Sequence, residues 1–220
     1  HNIEFGFDFS TSGAFPTLIS HMPCTYNRVD FYYSDGMVTD TGFIDTLTWH
    51  ETANNSFVLN QYHINVVLSY GDNNSLFNNH TVDTVIFYGK GHIDGTNNIG
   101  YLEAQKPVTI RENNTIDTAI LQMRGDILGK NRFSQLALSP GYRYVFQHEN
   151  GTGNDTTIIT NDLLVNGTCD EPIRLESDAL GTRAMILYKA LNPTYPDFTT
   201  TYASIRDIAM IPFNGNEYIA

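Results

Sequence analysis

Tyr62-His63-Ile64-Asn65-Val66-Val67-Leu68-Ser69-Tyr70 is the stretch from which the fold class is read. Tyr62, Ile64, Val66, Leu68 and Tyr70 alternate with His63, Asn65, Val67 and Ser69, the period of two that a half-buried β-strand requires. Gly71-Asp72-Asn73-Asn74 then ends the run in a turn. Related signals recur at 29–33, 43–49, 82–88, 108–111, 119–123, 142–148, 156–160, 173–176, 182–191 and 201–211, separated by Gly, Pro, Asn and Asp clusters. Helical spacing is confined to 131–138, where Ser139-Pro140-Gly141 would stop it after one or two turns. No internal repeat at a fixed period, no Pro/Ser/Gly linker and no shift in composition divides the chain. The pattern predicts an all-β protein, a single antiparallel β-sandwich or jelly-roll-like domain over residues 1–220. It would have about ten to twelve strands with long loops, and 89–100 would be a loop excursion at one end.

The beginning of the chain, His1-Asn2-Ile3-Glu4-Phe5-Gly6-Phe7-Asp8-Phe9, also alternates. Ile3, Phe5, Phe7 and Phe9 fall on one face, and burying them would contribute about 6–10 kcal/mol before ordering costs. A strand over residues 1–12 therefore completes either this molecule's own sheet or that of a neighbouring copy. The second arrangement resembles donor-strand complementation in pilus subunits, and that resemblance implies head-to-tail assembly with other copies of the chain.

Composition narrows the partners. Twelve Lys and Arg stand against 24 Asp and Glu, a formal charge of −12, which disfavours nucleic acid and anionic membrane surfaces. No apolar run reaches the roughly 20 residues of a membrane-spanning helix, and the start of the chain reads as a mature terminus left by a removed signal peptide. Asn-X-Ser/Thr occurs seven times, at Asn54, Asn73, Asn79, Asn113, Asn150, Asn154 and Asn166. Several sit in expected turns, so the sequence reads as a secreted or surface glycoprotein carrying N-linked glycans. Cys24 and Cys169 suit an oxidising compartment, where one disulfide across so long a loop would constrain the unfolded chain by about 3–5 kcal/mol. The alternative is two buried free thiols.

Catalytic signatures are missing: there is no Gly-x-Ser-x-Gly elbow, no His-Glu-x-x-His helix, no phosphate-binding loop and no dinucleotide fingerprint. Asp94-Gly95-Thr96-Asn97-Asn98 and Gly71-Asp72-Asn73-Asn74 read as turns, since neither matches a full calcium loop. His63, His80 and His148 read as ordinary strand or turn residues. Among the aromatics, Tyr26, Tyr32, Tyr33, Tyr195 and Tyr218 are candidates for exposure, beside turns where rings can bind sugars or anchor an interface, although tyrosine is also ordinary material for sandwich faces and core packing is expected for most of them.

One enzyme alternative rests on His1, whose amine and imidazole can together bind a copper ion that a further histidine completes. This resembles the histidine brace of the lytic polysaccharide monooxygenases. The resemblance implies a copper cofactor held by His1 with His50 or His92, and Tyr202 near the axial position. The leading expectation needs no cofactor: a non-catalytic extracellular module acting in adhesion, attachment or self-assembly, whose partner is a copy of itself or a cell-surface glycan or protein.

Overall fold

Asn98 pairs with Thr81 on one side and with Thr115 on the other, and Val108 pairs with Gly91 and Gly125, so each partner lies 17 residues away along the chain. A constant difference between partner numbers means parallel strands, because antiparallel partners would keep a constant sum. The same difference in two separate sheets means that the chain closes one full turn every 17 residues. The protein is a parallel β-solenoid. This overturns the expectation of an antiparallel sandwich or jelly roll.

The computed structural model describes residues 2–5, 17–18, 24–32, 37–38, 42–51, 53, 57–58, 62–149, 155–189 and 200–213. In chain order the strands are β1 (Asn2–Phe5), β2 (Thr17–Leu18), β3 (Cys24–Phe31), β4 (Met37–Val38), β5 (Gly42–Trp49), β6 (Phe57–Val58), β7 (Tyr62–Ser69), β8 (Asn74–Phe77), β9 (Thr81–Phe87), β10 (Gly91–Asp94), β11 (Asn98–Ala104), β12 (Val108–Arg111), β13 (Thr115–Leu121), β14 (Gly125–Leu128), β15 (Arg132–Leu138), β16 (Arg143–Phe146), β17 (Thr157–Val165), β18 (Ile173–Ser177), β19 (Ala184–Lys189), β20 (Ala203–Arg206) and β21 (Ile208–Phe213). The odd-numbered strands form an 11-stranded sheet of mostly long strands, and the even-numbered ones a 10-stranded sheet of short strands. The strands β7 to β18 make about six turns; the 17-residue spacing holds from β8 to β15 and widens beyond, where Arg132 pairs with Ile158 and Arg143 with Arg174. No helix among the described residues is long and apolar enough to cross a membrane.

The long strands β9, β11 and β13 share one pattern, in which the second, fifth and seventh residues are buried. The short strands β10, β12 and β14 bury their first and third residues. Each of these turns thus has five inward-facing positions, and parallel pairing stacks like on like, as in the row Val82, Ile99, Ile116 and Phe133, all at most 3% exposed. Between the second and fifth residues the alternation changes phase, so in β7 the buried set is Tyr62, Ile64, Val67 and Ser69, with Val66 and Leu68 turned to the outer face. The same phase change explains the stretch 131–138. Buried Phe133, Leu136 and Leu138 imitate helical spacing, but the segment is the strand β15. The region 89–100 is likewise not a loop excursion, since it carries β10 and the start of β11.

Asparagines hold the corners that lead into β11, β13 and β15. Asn97, Asn114 and Asn131 are fully buried and 17 residues apart. The Oδ1 of Asn114 accepts from the backbone N–H of Asn97 (3.1 Å) and from its Nδ2 (2.8 Å). Its own Nδ2 donates to the Arg111 carbonyl and to Asn131 Oδ1 (3.0 Å). Every buried polar atom of this side chain is satisfied along the axis, which is what makes a buried amide affordable.

The amino-terminal strand takes a place in the chain's own sheet. β1 runs parallel to β3 with Ile3 opposite Val29 and Phe5 opposite Phe31, at the register of two buried rows. Phe7, Phe9 and His1 lie outside the described residues. A Cys24–Cys169 disulfide does not fit the ladder. β3, which Cys24 begins, lies seven strands from β17 in the sheet, or about 34 Å at the usual strand spacing. A disulfide needs Cα atoms within roughly 7 Å, and Cys169 is a free, exposed thiol.

Candidate functional site

Parallel pairing continues one residue past the end of each long strand, and this fixes a row of side chains on the outer corner. The backbone N–H groups of His50, Tyr70, Tyr88, Gln105 and Gln122 donate to the carbonyls of Phe31, Trp49, Ser69, Phe87 and Ala104, at 2.7 to 2.9 Å. Tyr32, His50, Tyr70 and Tyr88 therefore succeed one another along the axis. Tyr32 stacks on His50 with ring centroids 4.0 Å apart and planes 6° from parallel, and Tyr70 stacks on Tyr88 at 4.6 Å and 4°. Glycines allow the close stacking below the second pair. A Cβ on Gly89 would lie 2.2 Å from the Gly71 carbonyl oxygen, and one on Gly71 would lie 2.3 Å from that of Ala53.

Between the two ring pairs lies an open, shallow cleft lined by Arg28, Thr48, His50, Glu51, Leu68 and Tyr70. Its apolar surface comes from Leu68, which the phase change turns outward, and from the ring of Tyr70, 41% exposed. Its polar end is organised by Asp30, only 2% exposed, which accepts from Arg28 Nη2 (2.9 Å) and from His50 Nε2 (3.0 Å). Burial alone would raise the Asp30 carboxyl, but the hydrogen bonds and charges of Arg28 and His50 outweigh it and hold the group below its ordinary value. A carboxylate can only accept, so Nε2 of His50 carries a proton and the ring is fixed in place. Farther along the row the aromatics give way to amides. Gln105 and Gln122 both donate to Glu103 Oε1 (3.0 and 2.8 Å), and Tyr101 donates to Glu103 Oε2 (3.0 Å).

A second cleft lies on the outer face of the short sheet, where Ser75, Phe77, His92, Asp94, Arg111 and Glu112 meet. Burial raises the Asp94 carboxyl and lowers the His92 imidazole, and Arg111, 3.8 Å from Asp94, moderates the first and adds to the second.

The expected metal residues are not gathered. His50 follows β5 at the corner of the long sheet, His92 is on β10 of the short sheet, and Tyr202, 60% exposed, precedes β20 at the opposite end. Among the described residues no three His, Cys, Asp or Glu side chains cluster at metal-binding distance. Of the glycan acceptors, Asn73, Asn79, Asn113 and Asn166 are exposed, whereas Asn54, Asn150 and Asn154 lie outside the described residues, as do Tyr33, Tyr195 and Tyr218. Tyr26, one of the candidates for exposure, is 6% exposed and belongs to the core.

Of the cleft, the sequence reading singled out Tyr32 and His50, the latter for copper, and passed over Tyr70, Tyr88 and Asp30. The repeated Tyr70-Gly71 and Tyr88-Gly89 pairs, each at a strand end, were the available signal. Comparison with protein-family models, with curated proteins and with solved structures found no match to this chain.

Proposed function

We propose that this chain is a non-catalytic extracellular attachment module whose β-solenoid acts as a rigid support for glycan binding along the Tyr32–His50–Tyr70–Tyr88 corner. The observation that carries the reading is the cleft between the two stacked ring pairs. Aromatic rings and Leu68 offer an apolar wall to the C–H face of a sugar ring, while Arg28, His50 and Glu51 offer hydrogen bonds to its hydroxyls. Because the corner is pinned by backbone bonds on successive turns, little entropy is lost on binding. The excess of carboxylates disfavours polyanions, so the ligand is a neutral or basic saccharide. Extracellular placement is supported by the exposure of the four glycan acceptors within the described residues.

A glycan array followed by calorimetric titration of the best ligand tests this. Tyr70→Ala should weaken binding by about 10-fold or more, the loss expected of a central aromatic contact, while leaving the far-ultraviolet spectrum unchanged. Tyr70→Phe, which keeps the ring face, should stay within a few-fold. An array without neutral or basic hits, or affinity indifferent to Tyr70→Ala, would sink the proposal.

A further inference from the structure

Three arginines on the outer face of the short sheet share one carboxylate. Arg143 on β16 stands opposite Arg174 on β18, and Glu176, two residues further along β18, stands opposite Arg206 on β20. The Glu176 side chain is 14% exposed, and its Oε2 accepts from both Arg143 Nε (2.6 Å) and Arg206 Nη2 (2.8 Å). Arg174 is exposed and, among the described residues, makes no ion pair and no side-chain hydrogen bond. The hydrogen bond from Arg143, with the charges of Arg143, Arg206 and Arg174, outweighs burial and holds the Glu176 carboxyl below its ordinary value. It is therefore ionised at neutral pH. Three guanidinium charges against one carboxylate leave a local excess of two positive charges.

That excess stands in a chain with twice as many acids as bases. Like charges directly opposite one another on neighbouring strands are destabilising, and the backbones of Arg143 and Arg174 are only about 4.8 Å apart at the usual strand spacing. Nearby carboxylates do not neutralise them. Asp126 on β14 is held by Arg124 (3.0 Å), and Asp178, after β18, accepts from the backbone N–H and the ring of His148 (2.7 and 2.9 Å). Asp170 and Glu171 share a shallow cleft with Tyr142 and Arg174, yet neither pairs with any of the three arginines. A local rule broken without compensation inside the chain points to a ligand.

We infer that this face holds one doubly charged oxyanion, a sulfate or phosphate group, bridging Arg143, Arg174 and Arg206 beside Glu176. Each guanidinium carries five N–H donors in a planar fork suited to such groups. Glu176 takes one donor from Arg143 and one from Arg206, so the others, and all those of Arg174, remain for the ligand. Two negative charges match the local excess, whereas a carboxylate ligand would supply one. The net charge of −12 opposes a long polyanion, but charges beyond about 8 Å are largely screened at physiological salt, so the nearest groups decide for a single ion. The aromatic cleft lies on β3, β5, β7 and the corners of the long sheet, so the two sites are separate.

Titration of the whole chain with inorganic sulfate, with a hexose phosphate and with acetate, at constant ionic strength, tests the site through the side-chain Nε–H signals of the arginines. Sulfate and the hexose phosphate should shift Arg143, Arg174 and Arg206 saturably and bind about threefold or more tighter than acetate. Equal affinity for the two dianions supports recognition of the oxyanion alone, and a tighter hexose phosphate supports an ester as the ligand. Arg174→Gln removes a charge that makes no bond within the chain, so the fold stays intact while sulfate affinity falls about threefold to tenfold. Arg132→Gln makes the same change of charge on β15 of the long sheet and should leave the affinity unchanged. The absence of a saturable shift, acetate binding as tightly as sulfate, or equal losses in the two variants overturns the inference.

Discussion

Asn114 shows how much one side chain can do when its environment repeats. Its amide accepts two hydrogen bonds from Asn97 and donates to the Arg111 carbonyl and to Asn131. Replacement by Ala leaves the Asn97 N–H and the Arg111 carbonyl without these partners in a site closed to water. Leaving such groups unpaired costs about 2–4 kcal/mol, to be read as a lower urea midpoint at unchanged slope. Asn114→Asp is nearly isosteric but sharper as a test. The carboxylate still accepts from Asn97, yet it can no longer donate and brings a buried charge. That variant should be less stable than Asn114→Ala at pH 7 and should recover on mild acidification, as the protonated acid regains a donor. The exposed Asn113 next to it belongs to the triplet Asn113-Asn114-Thr115, so part of the asparagine richness read as glycan acceptors is structural in origin.

At the scale of the element, neighbouring strands exchange volume across the corner. The last inward residue of a long strand and the first of the following short strand are Phe87 and Gly91, then Ala104 and Val108, then Leu121 and Gly125. A Cβ on Gly91 would lie 2.3 Å from Phe87 Cδ1, and one on Gly125 would lie 2.8 Å from Leu121 Cδ1, so the large residue fills the space that the glycine leaves. Gly91→Val alone should therefore cost about 1–3 kcal/mol by overpacking, and Phe87→Ala alone about 3–5 kcal/mol by leaving a cavity. The double variant rebuilds the Ala104–Val108 arrangement and should be more stable than the sum of the two, with a coupling of about 0.5–3 kcal/mol in a denaturation cycle. This exchange also explains what the sequence concealed. Strands at 43–49, 62–70 and 82–88 were legible from alternation, whereas the 17-residue repeat shows by identity mainly in Asn97, Asn114 and Asn131, because elsewhere the turns conserve combined volume more than residue identity. The phase change inside every long strand hid the rest, breaking the period of two and giving β15 its helical spacing. Glycine-led short strands such as Gly91–Asp94 and Gly125–Leu128 carry too few apolar residues to read as strands alone. The cleft was legible only in pieces, since Arg28, His50 and Tyr70 meet through the pairing of β3, β5 and β7.

For the whole molecule, a solenoid is close to one-dimensional, with each turn held by the turns above and below it. Removing residues 98–114 takes out one full turn and joins Asn97 to Thr115, so that Thr81 meets Thr115 in the register that it now shares with Asn98. The shortened chain should fold, with a strand-type circular dichroism spectrum, one cooperative unfolding transition and a long axis about 4.8 Å shorter by small-angle scattering. Removing only 98–105 is the control. It would place a short strand where a long one belongs and move apolar side chains to the outer face, so the product should aggregate or remain unfolded. An antiparallel sandwich predicts the reverse ranking, because losing two strands and their connections is worse there than losing one. The aromatic cleft is built from β3, β5, β7 and the corners that follow them, outside the deleted turn. Its ligand affinity should therefore stay within about twofold in the shortened chain, as expected for sites that share no partners. Loss of binding in a chain that still folds would mean that the site extends to Gln105 and Glu103, and that the ligand lies along the axis across more turns than the cleft itself occupies.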